Sequence, residues 1–444
     1  MKIKTLFPLL ALLVPVLKAE TLVVLSGNSI QEKIDVASDG DIIAIFGGTY
    51  SQDVIINKRI RLVELAGQDV HITGNVTFDS VENCPPFEGF KVGSLNKGLI
   101  VDGAGPTTGL VIKDTNTDTG GRGVVIEGDS HEVSIVGGIH SGVVQKGGTL
   151  VVNSASITGN FETNGSVVKT IAFRVNVSGG CSWGGMLAKS WFGYGQAKNF
   201  VFNGEGCRST LIGSTIDRGG VEANSIAIYG KRNQTVIINN LVVGLAQEYS
   251  RDNDSVANIY SQEIDGIAFI QNNYLEATQS WRDQTKAIRI TNSNKYVITN
   301  NVWKLTAGRF GGSDVGRLVS GPFGTTVTNN YIKTNTSGVF ATDSGATGQD
   351  NIIESGDTKL FSEDNIRVLA SESPLIDMGI SDPRFNDLDG SRNDIGPSGG
   401  SWYDPEGWTT ENPVVISFDL SPDQVLGGVN DEVEISEIQA ISAP

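Results

Sequence analysis

The sequence predicts an all-β solenoid, a chain wound in stacked turns of short strands. An apolar run that ends in two asparagines recurs at intervals of 33, 28 and 29 residues. The segments between these runs are rich in β-branched residues and broken by glycine, which is typical of strands joined by tight bends. A repeat of about 30 residues that contains several strands cannot bury its apolar face alone, so its turns must stack. The four runs are VIINN (236–240), FIQNN (269–273), VITNN (297–301) and TVTNN (326–330).

The paired asparagines are interpreted as corners of the turns and not as ligands. Asparagine tolerates a left-handed bend, and in a stack it can pass hydrogen bonds to the amide of the asparagine one turn away, about 4.8 Å along the solenoid. We therefore expect a structural ladder along one corner. Its predicted members, each followed by a second asparagine, are Asn239, Asn272, Asn300 and Asn329.

The first 50 residues predict an export signal and then a short capping helix. Two lysines precede an apolar run from Leu6 to Leu17, which is the layout of a secretory signal peptide over residues 1–19. That run is too short for a membrane span, and no later stretch is long enough. Ser29 and Glu32 have the spacing of a capping box at a helix start. An amphipathic helix here would cover the open end of the solenoid, whose strand edges would otherwise be unpaired.

Charge and composition exclude two classes of partner. The formal net charge of −17 creates a field that repels nucleic acids and anionic lipid surfaces, so neither is expected to bind. The 55 glycines and the aromatic content of 7% favour one elongated unit of short strands over several helical domains.

The three cysteines are too few for a disulfide framework. Cys181 and Cys207 lie 26 residues apart, close to one repeat. They either bridge adjacent turns or fill small spaces in the core.

Three segments carry a family resemblance: SIQEKIDVASDGDIIAIFGGTY (29–50), the NN-bearing turns, and SPLIDMGISDPRFNDLDGSRNDIGPSGG (373–400). Together they resemble the secreted right-handed parallel β-helix, or pectin-lyase-like, superfamily of bacteria. The resemblance covers roughly residues 20–400 and implies a right-handed parallel β-helix that is secreted, periplasmic or held at the cell surface. It implies no particular activity, because this scaffold carries polysaccharide lyases, glycosidases, adhesins and plain surface proteins.

Residues 401–444 are predicted to form a small acidic β extension. No Lys or Arg follows Arg392, whereas ten Asp and Glu do. Apolar and polar residues alternate in VVISFDL (414–420) and EVEISEI (432–438), which indicates two strands. The segment is too short to bury a core of its own. We expect it to be either a packed end cap or a docking strand for a surface protein, and we favour the cap.

The segment FNDLDGSRNDIG (385–396) partly matches a calcium-binding loop. Asp387, Asp389 and Asp394 surround Gly390 at ligand-like spacing, but no glutamate stands at the last ligand position of an EF-hand. Either these carboxylates bind Ca²⁺, or they accept hydrogen bonds from backbone amides and close the last turn of the solenoid. We favour the second interpretation.

A groove across successive turns is the predicted functional site. Stacked turns present equivalent outward side chains at each level, so a solenoid of this kind suits a polymer, here an extracellular polysaccharide. Counted back from the asparagine pairs, four residues fall at similar distances and are expected to form one stripe: Tyr229, Tyr260, Arg289 and Arg317. Aromatic rings pack on sugar rings, and arginine binds carboxylates or sulfates. Neighbouring loops add Trp281, Asp283, Lys286, Arg309 and Asp314.

The residue types in this stripe allow β-elimination on a uronate polymer. That reaction needs a cation that neutralises the carboxylate and a base that removes the C5 proton. Arg289 or Arg317 is the candidate cation. Lys286 or Tyr260 is the candidate base.

Hydrolysis and a non-catalytic role remain open as well. Hydrolysis requires two facing carboxylates, for which the candidates are Asp283 with either Asp314 or Glu263. The signatures of known lyases and polygalacturonases are absent from the sequence. A non-catalytic surface or adhesive protein is therefore the alternative, in which the stripe is a solvated face with weak ion pairs.

Overall fold

The computed structural model describes residues 19–401 with short gaps, and the strands Val414–Ser421 and Glu434–Ile441. The gaps fall at 66–68, 166–167, 187–188, 218–223, 248–256, 280–285, 293–294, 308–316, 322–324, 335–339 and 344–346. The predicted all-β solenoid is confirmed for the described residues: successive turns contribute parallel strands to stacked sheets, one of which has 12 strands. Residues 1–18 of the predicted signal peptide lie outside the described part of the chain.

Each turn passes through three sheets, which we call faces A, B and C in the order in which the chain meets them. Face A contains Val54–Ile56, Val76–Asp79, Gly98–Asp102, Gly123–Ile126, Val143–Gln145, Phe161–Thr163, the second halves of Asn176–Met186 and Gln196–Glu205, Ile226–Lys231, Ala257–Ser261, Lys286–Ile290, Arg317–Ser320 and Phe340–Asp343.

Face B begins beyond a separate three-stranded sheet near the N-terminus. That small sheet contains Thr21–Val24, Ile42–Ile45 and Arg61–Glu64. Face B itself contains Phe87–Glu88, Leu110–Lys113, Glu132–Val136, Gly148–Asn153, Val168–Phe173, Lys189–Gly193, Arg208–Ile212, Gln234–Ile238, Ile267–Gln271, Lys295–Thr299, Thr326–Thr328 and Thr347–Gln349.

Face C completes each turn. Its strands are Gly48–Tyr50, Val70–Ile72, Lys91–Val92, Asn116–Thr117, Ile139–His140, Ser156–Ile157, the first halves of Asn176–Met186 and Gln196–Glu205, Thr215–Asp217, Leu241–Gln247, Tyr274–Gln279, Val302–Ala307, Tyr331–Thr334 and Ile352–Glu354.

Like side chains stack through the interior, because each strand pairs in parallel with its counterpart in the next turn. On face A the inward positions Ile226, Ile259, Ile288 and Val319 are in direct register and have no exposed surface. Burial of branched side chains in columns of this kind supplies the main stabilisation of a fold that has almost no helix.

The corner between faces B and C is built from residues in the left-handed region. Their φ angles lie between +45° and +68°. Asparagine, aspartate and glycine adopt this region at low cost, which explains their enrichment here. In chain order the corner positions are Asp114, Gly137, Ser154, Arg174, Tyr194, Gly213, Asn239, Asn272, Asn300, Asn329 and Asp350.

The asparagine ladder exists, but the second residue of each pair forms it. The first asparagine supplies the left-handed backbone, as at Asn272, where φ is +52°. The second turns inward and is fully buried, and its side chain bonds to the equivalent asparagine of the next turn. The ladder runs through Asn240, Asn273, Asn301, Asn330 and Asn351. Assigning the ladder to the first asparagines was wrong, because the left-handed bend directs only the following residue into the core.

A short helix, Ile30–Val36, begins at the predicted capping residue. The backbone N–H of Glu32 donates to Oγ of Ser29 at 3.2 Å. Ile30 and Ile34 are fully buried, so the apolar side of the helix faces the core. That the helix covers the end of the solenoid stays a prediction.

Residues 360–400, which we call the C-terminal strap, fold back along the corner between faces B and C. Nδ2 of Asn239 donates to the carbonyl of Gly399 at 2.7 Å, and Nδ2 of Asn272 donates to that of Asp394 at 2.7 Å. Nη1 of Arg367 donates to the carbonyl of Asn239 at 2.9 Å. The sequence predicted that this segment closes the last turn; the strap instead contacts the corners of several turns.

The strap covers apolar side chains on the outside of face C. Leu241, Tyr274, Val302 and Tyr331 stack in register there and are all nearly buried. They pack in one cluster with Leu360, Leu375 and Ile395 of the strap. A second small hydrophobic core therefore lies outside the solenoid proper.

The two C-terminal strands pair with each other in antiparallel fashion and form a sheet of their own. Whether they act as a cap or as a docking strand stays a prediction. Cys181 and Cys207 are not joined by a disulfide, and both are buried. Within the described ranges, no helix is both long and apolar enough to cross a membrane.

Candidate functional site

The outside of face A brings together two of the predicted stripe residues. Tyr260 and Arg289 are direct partners in adjacent turns. Their column continues to Ala227 on one side and to Ser320 on the other. Tyr260 and Arg289 thus occupy equivalent outward positions on successive levels of the solenoid.

The other two residues of the predicted stripe fall into different columns. Tyr229 lies opposite Asn203, and Arg317 lies opposite Lys286. Counting back from the asparagine corner failed at these positions because the connection between faces A and B changes in length from turn to turn. Arg289 and Arg317 are therefore not equivalent positions of the solenoid.

Tyr229 nevertheless contacts the Tyr260–Arg289 column. The rings of Tyr229 and Tyr260 meet edge to face, with centroids 6.2 Å apart and planes at 69°. Such geometry is favoured by the quadrupoles of the two rings. Tyr260 is 5% exposed, whereas Tyr229 and Arg289 are partly exposed. We call Tyr229, Tyr260 and Arg289 the face A cluster.

Among the described residues, one nitrogen of the Arg289 guanidinium lacks a hydrogen-bond partner. Nη1 is buried and has no hydrogen-bond partner among the described residues. A buried donor attached to a charged group is costly to leave unpaired. A carboxylate or sulfate that reaches the partly exposed side chain of Arg289 would form a charge-assisted hydrogen bond with it.

Several predicted site residues lie outside the described part of the chain. These are Trp281, Asp283, Arg309 and Asp314. Lys286 and Arg317 are placed by their strands alone, as register partners of each other on face A.

A buried polar network lies directly beneath the face A cluster. Glu263 has no exposed surface, and the backbone N–H of Asn233 donates to its Oε1 at 2.7 Å. The hydroxyl of Tyr296 donates to its Oε2 at 2.8 Å. That hydroxyl is also 2.8 Å from Oγ of Ser261, the residue after Tyr260. Gly266 leaves room for the carboxyl, since a Cβ at that position would lie 1.9 Å from Cδ of Glu263.

This network connects to the cluster through the backbone. Nδ2 of Asn233 donates to the carbonyl oxygen of Tyr229 at 3.0 Å. Glu263 therefore holds Asn233, and Asn233 in turn fixes the strand that carries Tyr229. Burial raises the pKa of Glu263, and burial together with the nearby carboxylate raises the pKa of Tyr296.

The position of Glu263 argues against its predicted part in hydrolysis. A hydrolytic pair needs both carboxyl groups open to the substrate. Glu263 is enclosed by the core and already accepts two hydrogen bonds. Its chemistry is therefore structural.

The three aspartates of the predicted calcium loop lie in the C-terminal strap. Asp387 accepts hydrogen bonds from the backbone N–H groups of Asp394 and Gly400. Asp389 accepts one from the N–H of Ser391 at 2.9 Å, and Asp394 accepts one from the N–H of Asp377 at 2.7 Å. Within the described ranges, no group of three or more His, Cys, Asp or Glu residues is arranged to hold a metal ion.

The pKa shifts of these three aspartates differ in direction because the aspartates differ in burial. Burial raises the pKa of Asp387 to about 6 and raises that of Asp394. Hydrogen bonds from Ser391 lower the pKa of Asp389. Backbone N–H groups donate to all three carboxyl groups, and the hydroxyl of Ser391 also donates to Asp389 at 2.6 Å.

No protein-family model matches the chain, and no characterised protein matches it in sequence. Among solved structures, a match is found to the "Crystal structure of pectate lyase Pel9A". The two chains are 13% identical, the match covers 85% of this chain and 96% of the other, and the TM-score is 0.31. A likeness this weak carries no argument about activity, so the fold assignment rests on the strand pairing described above.

Sequence reasoning missed the Glu263 network and the course of the strap. The sequence signal for Glu263 was its spacing. It follows the inward-facing residues Ile259 and Ser261 at intervals of two residues, so it is expected to face inward as well. A carboxylate at an inward position, followed by glycine three residues later, indicates a buried acid with space made for it. The strap gave no comparable signal, because its contacts join residues more than 120 positions apart.

Proposed function

We propose that this chain is an exported β-solenoid that binds an acidic polysaccharide on the outside of face A. The observation that carries the proposal is the face A cluster, in which a partly exposed arginine stands beside a tyrosine pair and its Nη1 has no hydrogen-bond partner among the residues that the structure describes. Export is supported by the signal-like layout of residues 1–19.

The cluster suits a uronate or sulfated sugar better than a neutral one. An acidic group can pair with the partly exposed side chain of Arg289, while the partly exposed ring of Tyr229 offers an apolar edge to a sugar ring. The chain as a whole is strongly acidic, so a polyanion would bind only where a cation is locally exposed. Binding is therefore expected to depend on Arg289.

Cleavage by β-elimination is the finer form of this proposal. The adjacency of Tyr260 and Arg289 places a hydroxyl side chain next to the candidate carboxylate-neutralising group. For hydrolysis, Glu263 is enclosed, whereas the alternative pair Asp283 and Asp314 lies outside the described residues and stays a prediction. The competing function is a non-catalytic surface or adhesive protein, which would bind the same glycan without converting it.

The test is binding of the full chain to a panel of acidic and neutral polysaccharides, with Arg289→Gln as the site variant. Arg59→Gln is the matched control, since Arg59 is an exposed arginine near the N-terminal end of the solenoid. We expect Arg289→Gln to weaken binding to acidic glycans about tenfold or more, and Arg59→Gln to leave it unchanged. Equal binding by both variants, or a preference for neutral glycans, would contradict the proposal.

Product formation separates the two roles. Unsaturated uronates absorb at about 232 nm, so elimination by the wild-type chain would raise the absorbance there and the Arg289→Gln variant would not. Binding without any new absorbance or new reducing ends assigns the non-catalytic role.

A further inference from the structure

The outside of face B has three basic residues on consecutive levels of the solenoid. Lys169 pairs in register with Lys189, and Lys189 pairs in register with Arg208. Lys169 and Arg208 each lie between two buried residues of the chain, so both occupy outward positions, where Lys169 is partly exposed and Arg208 is exposed. Lys189 is placed by its strand alone. We call these three residues the face B basic column.

Two other outward lysines stack on carboxylates. Lys113 is the register partner of Glu88, and Nζ of the lysine lies 2.8 Å from Oε1 of the glutamate. Lys146 lies one turn from Glu127, with 2.7 Å between Nζ and Oε1. Opposite charges on neighbouring strands stabilise a sheet, whereas like charges directly opposite each other destabilise it. The face B basic column stacks cation on cation, which is unfavourable for folding.

The outward positions of the sheet next to the column are uncharged. They are Thr149 and Gln234, which continue the column, and Ile171, Trp191 and Thr210, which lie two residues further along the same three strands. The carboxylate closest to Arg208 in sequence belongs to Glu205, which is in register with Lys231. A strip of positive charge thus runs along the solenoid axis beside an uncharged strip.

The largest side chain of the uncharged strip is directed away from the column. The indole of Trp191 lies over Gly193, since a Cβ on that glycine would be 2.2 Å from Cη2 of the indole. Gly193 is two residues beyond Trp191 on the strand, on the side opposite Lys189. The indole therefore lies along the strand and does not cross the basic column.

We propose that the face B basic column is a second binding site for an acidic polysaccharide, which would lie along the solenoid axis. Successive levels are about 4.8 Å apart, so the column offers one cation per level to a polymer with regularly spaced acidic groups. Such a polymer would offset the repulsion between the stacked cations. The choice of an exported glycan as the ligand rests on the proposed function, whereas the column itself uses no residue of face A.

Other extended anions suit this molecule less well. The formal net charge of −17 opposes a duplex nucleic acid, which carries one negative charge per about 1.7 Å, and it also opposes a broad anionic lipid surface. A single polysaccharide chain is narrow and carries its acidic groups farther apart. It can contact the column with less repulsion from the acidic remainder of the protein.

Binding of the full chain to polygalacturonate, to neutral dextran and to single-stranded DNA, at low and at moderate salt, tests the proposal. The column variant combines Lys169→Gln, Lys189→Gln and Arg208→Gln. The matched control removes the same charge from the early turns by combining Lys33→Gln, Arg59→Gln and Arg61→Gln. We expect the column variant to bind polygalacturonate about tenfold or more weakly, with less dependence on salt, and the control to bind like the wild-type chain.

Arg289→Gln distinguishes this site from the face A cluster. Weaker binding by Arg289→Gln, with unchanged binding by the column variant, would overturn the second site and leave the proposed function standing. Weaker binding by the column variant alone would support the second site and count against face A. No binding of polygalacturonate by the wild-type chain would overturn the proposal, as would tighter binding of single-stranded DNA that the column variant loses.

The melting temperature gives a readout that needs no ligand. Salt screens the repulsion between the stacked cations, so the melting temperature of the wild-type and control chains should rise more between low and moderate salt than that of the column variant. An equal rise in all three chains would contradict the stacking of cations on which the site depends.

Discussion

The side-chain oxygen of Asn301 accepts two hydrogen bonds from Asn273, one turn away. Nδ2 of Asn273 donates to it at 2.9 Å and the backbone N–H of Asn273 donates at 3.0 Å. Nδ2 of Asn273 also donates to the carbonyl of Ile237 at 2.9 Å. The corner between faces B and C can thus be buried, because each asparagine satisfies backbone groups that no β ladder reaches.

Replacing one member of the ladder is expected to be costly. Asn301→Ala would leave the N–H of Asn273 and the carbonyl of Ile270 without their partner. We expect a loss of about 2–4 kcal/mol in the free energy of unfolding, measured by urea denaturation. Asn292→Ala is the control, because that side chain donates to the carbonyl of Gln262 near the surface. Equal losses for the two variants would contradict a ladder role.

The left-handed corner predicts a residue-specific response at Asn329, where φ is +53°. Asn329→Gly should be close to neutral, since glycine adopts this conformation without strain. Asn329→Val should lower the free energy of unfolding by about 1–2 kcal/mol, because a β-branched residue is strained there. Thr328→Val, at the preceding strand position, is the control. A neutral Asn329→Val would argue against the assigned backbone.

The strap should loosen when its buried arginine is removed. Arg367 is 7% exposed and donates to the carbonyl of Asn239. For Arg367→Gln we expect faster proteolysis and about tenfold faster amide exchange in residues 360–400, with the solenoid strands unchanged. Arg384→Gln is the control, since Arg384 is exposed and bonds to Asp382 within the strap. Equal exchange in both variants would show that the strap does not depend on this contact.

Glu263 predicts a pH dependence of stability. Burial raises its pKa in the folded chain above the ordinary value of 4.5, so the folded state holds a proton that the unfolded state has lost. This contribution to stability is complete below pH 4.5 and disappears as the pH rises through the higher folded-state pKa. Glu263→Gln should flatten the fall in unfolding free energy across that window, while the exposed Glu372→Gln should not. An unchanged slope in Glu263→Gln would contradict the assignment.

Calcium is expected to have no effect on the strap. The carboxyl groups of Asp387, Asp389 and Asp394 accept hydrogen bonds from backbone N–H groups. We therefore expect the melting temperature to be the same with chelator and with calcium at about millimolar concentration. A rise with calcium that Asp389→Ala abolishes would establish a metal site instead.

Strand identity and the asparagine corner were accessible from the sequence because both depend on neighbours within one turn. Alternation over a few residues decides which side chains face inward, and a left-handed position selects asparagine locally. The sequence did not show which asparagine of each pair forms the ladder. That choice depends on which of the two adjacent side chains the left-handed bend directs toward the asparagine of the next turn.

The face A cluster was predicted only in part. Tyr260 and Arg289 could be aligned because their distances from the corner are nearly equal. Tyr229 and Arg317 could not, because the connections before the corner vary in length, and a change of one residue moves a side chain to the other side of the sheet.

Local periodicity and backbone preference are enough to predict that this chain winds into stacked short strands with a polar corner. The residues that meet across turns, the enclosure of Glu263 and the return of the strap along several turns are known from the folded structure alone. These contacts join distant parts of the chain, and their register is set by packing against already formed neighbours.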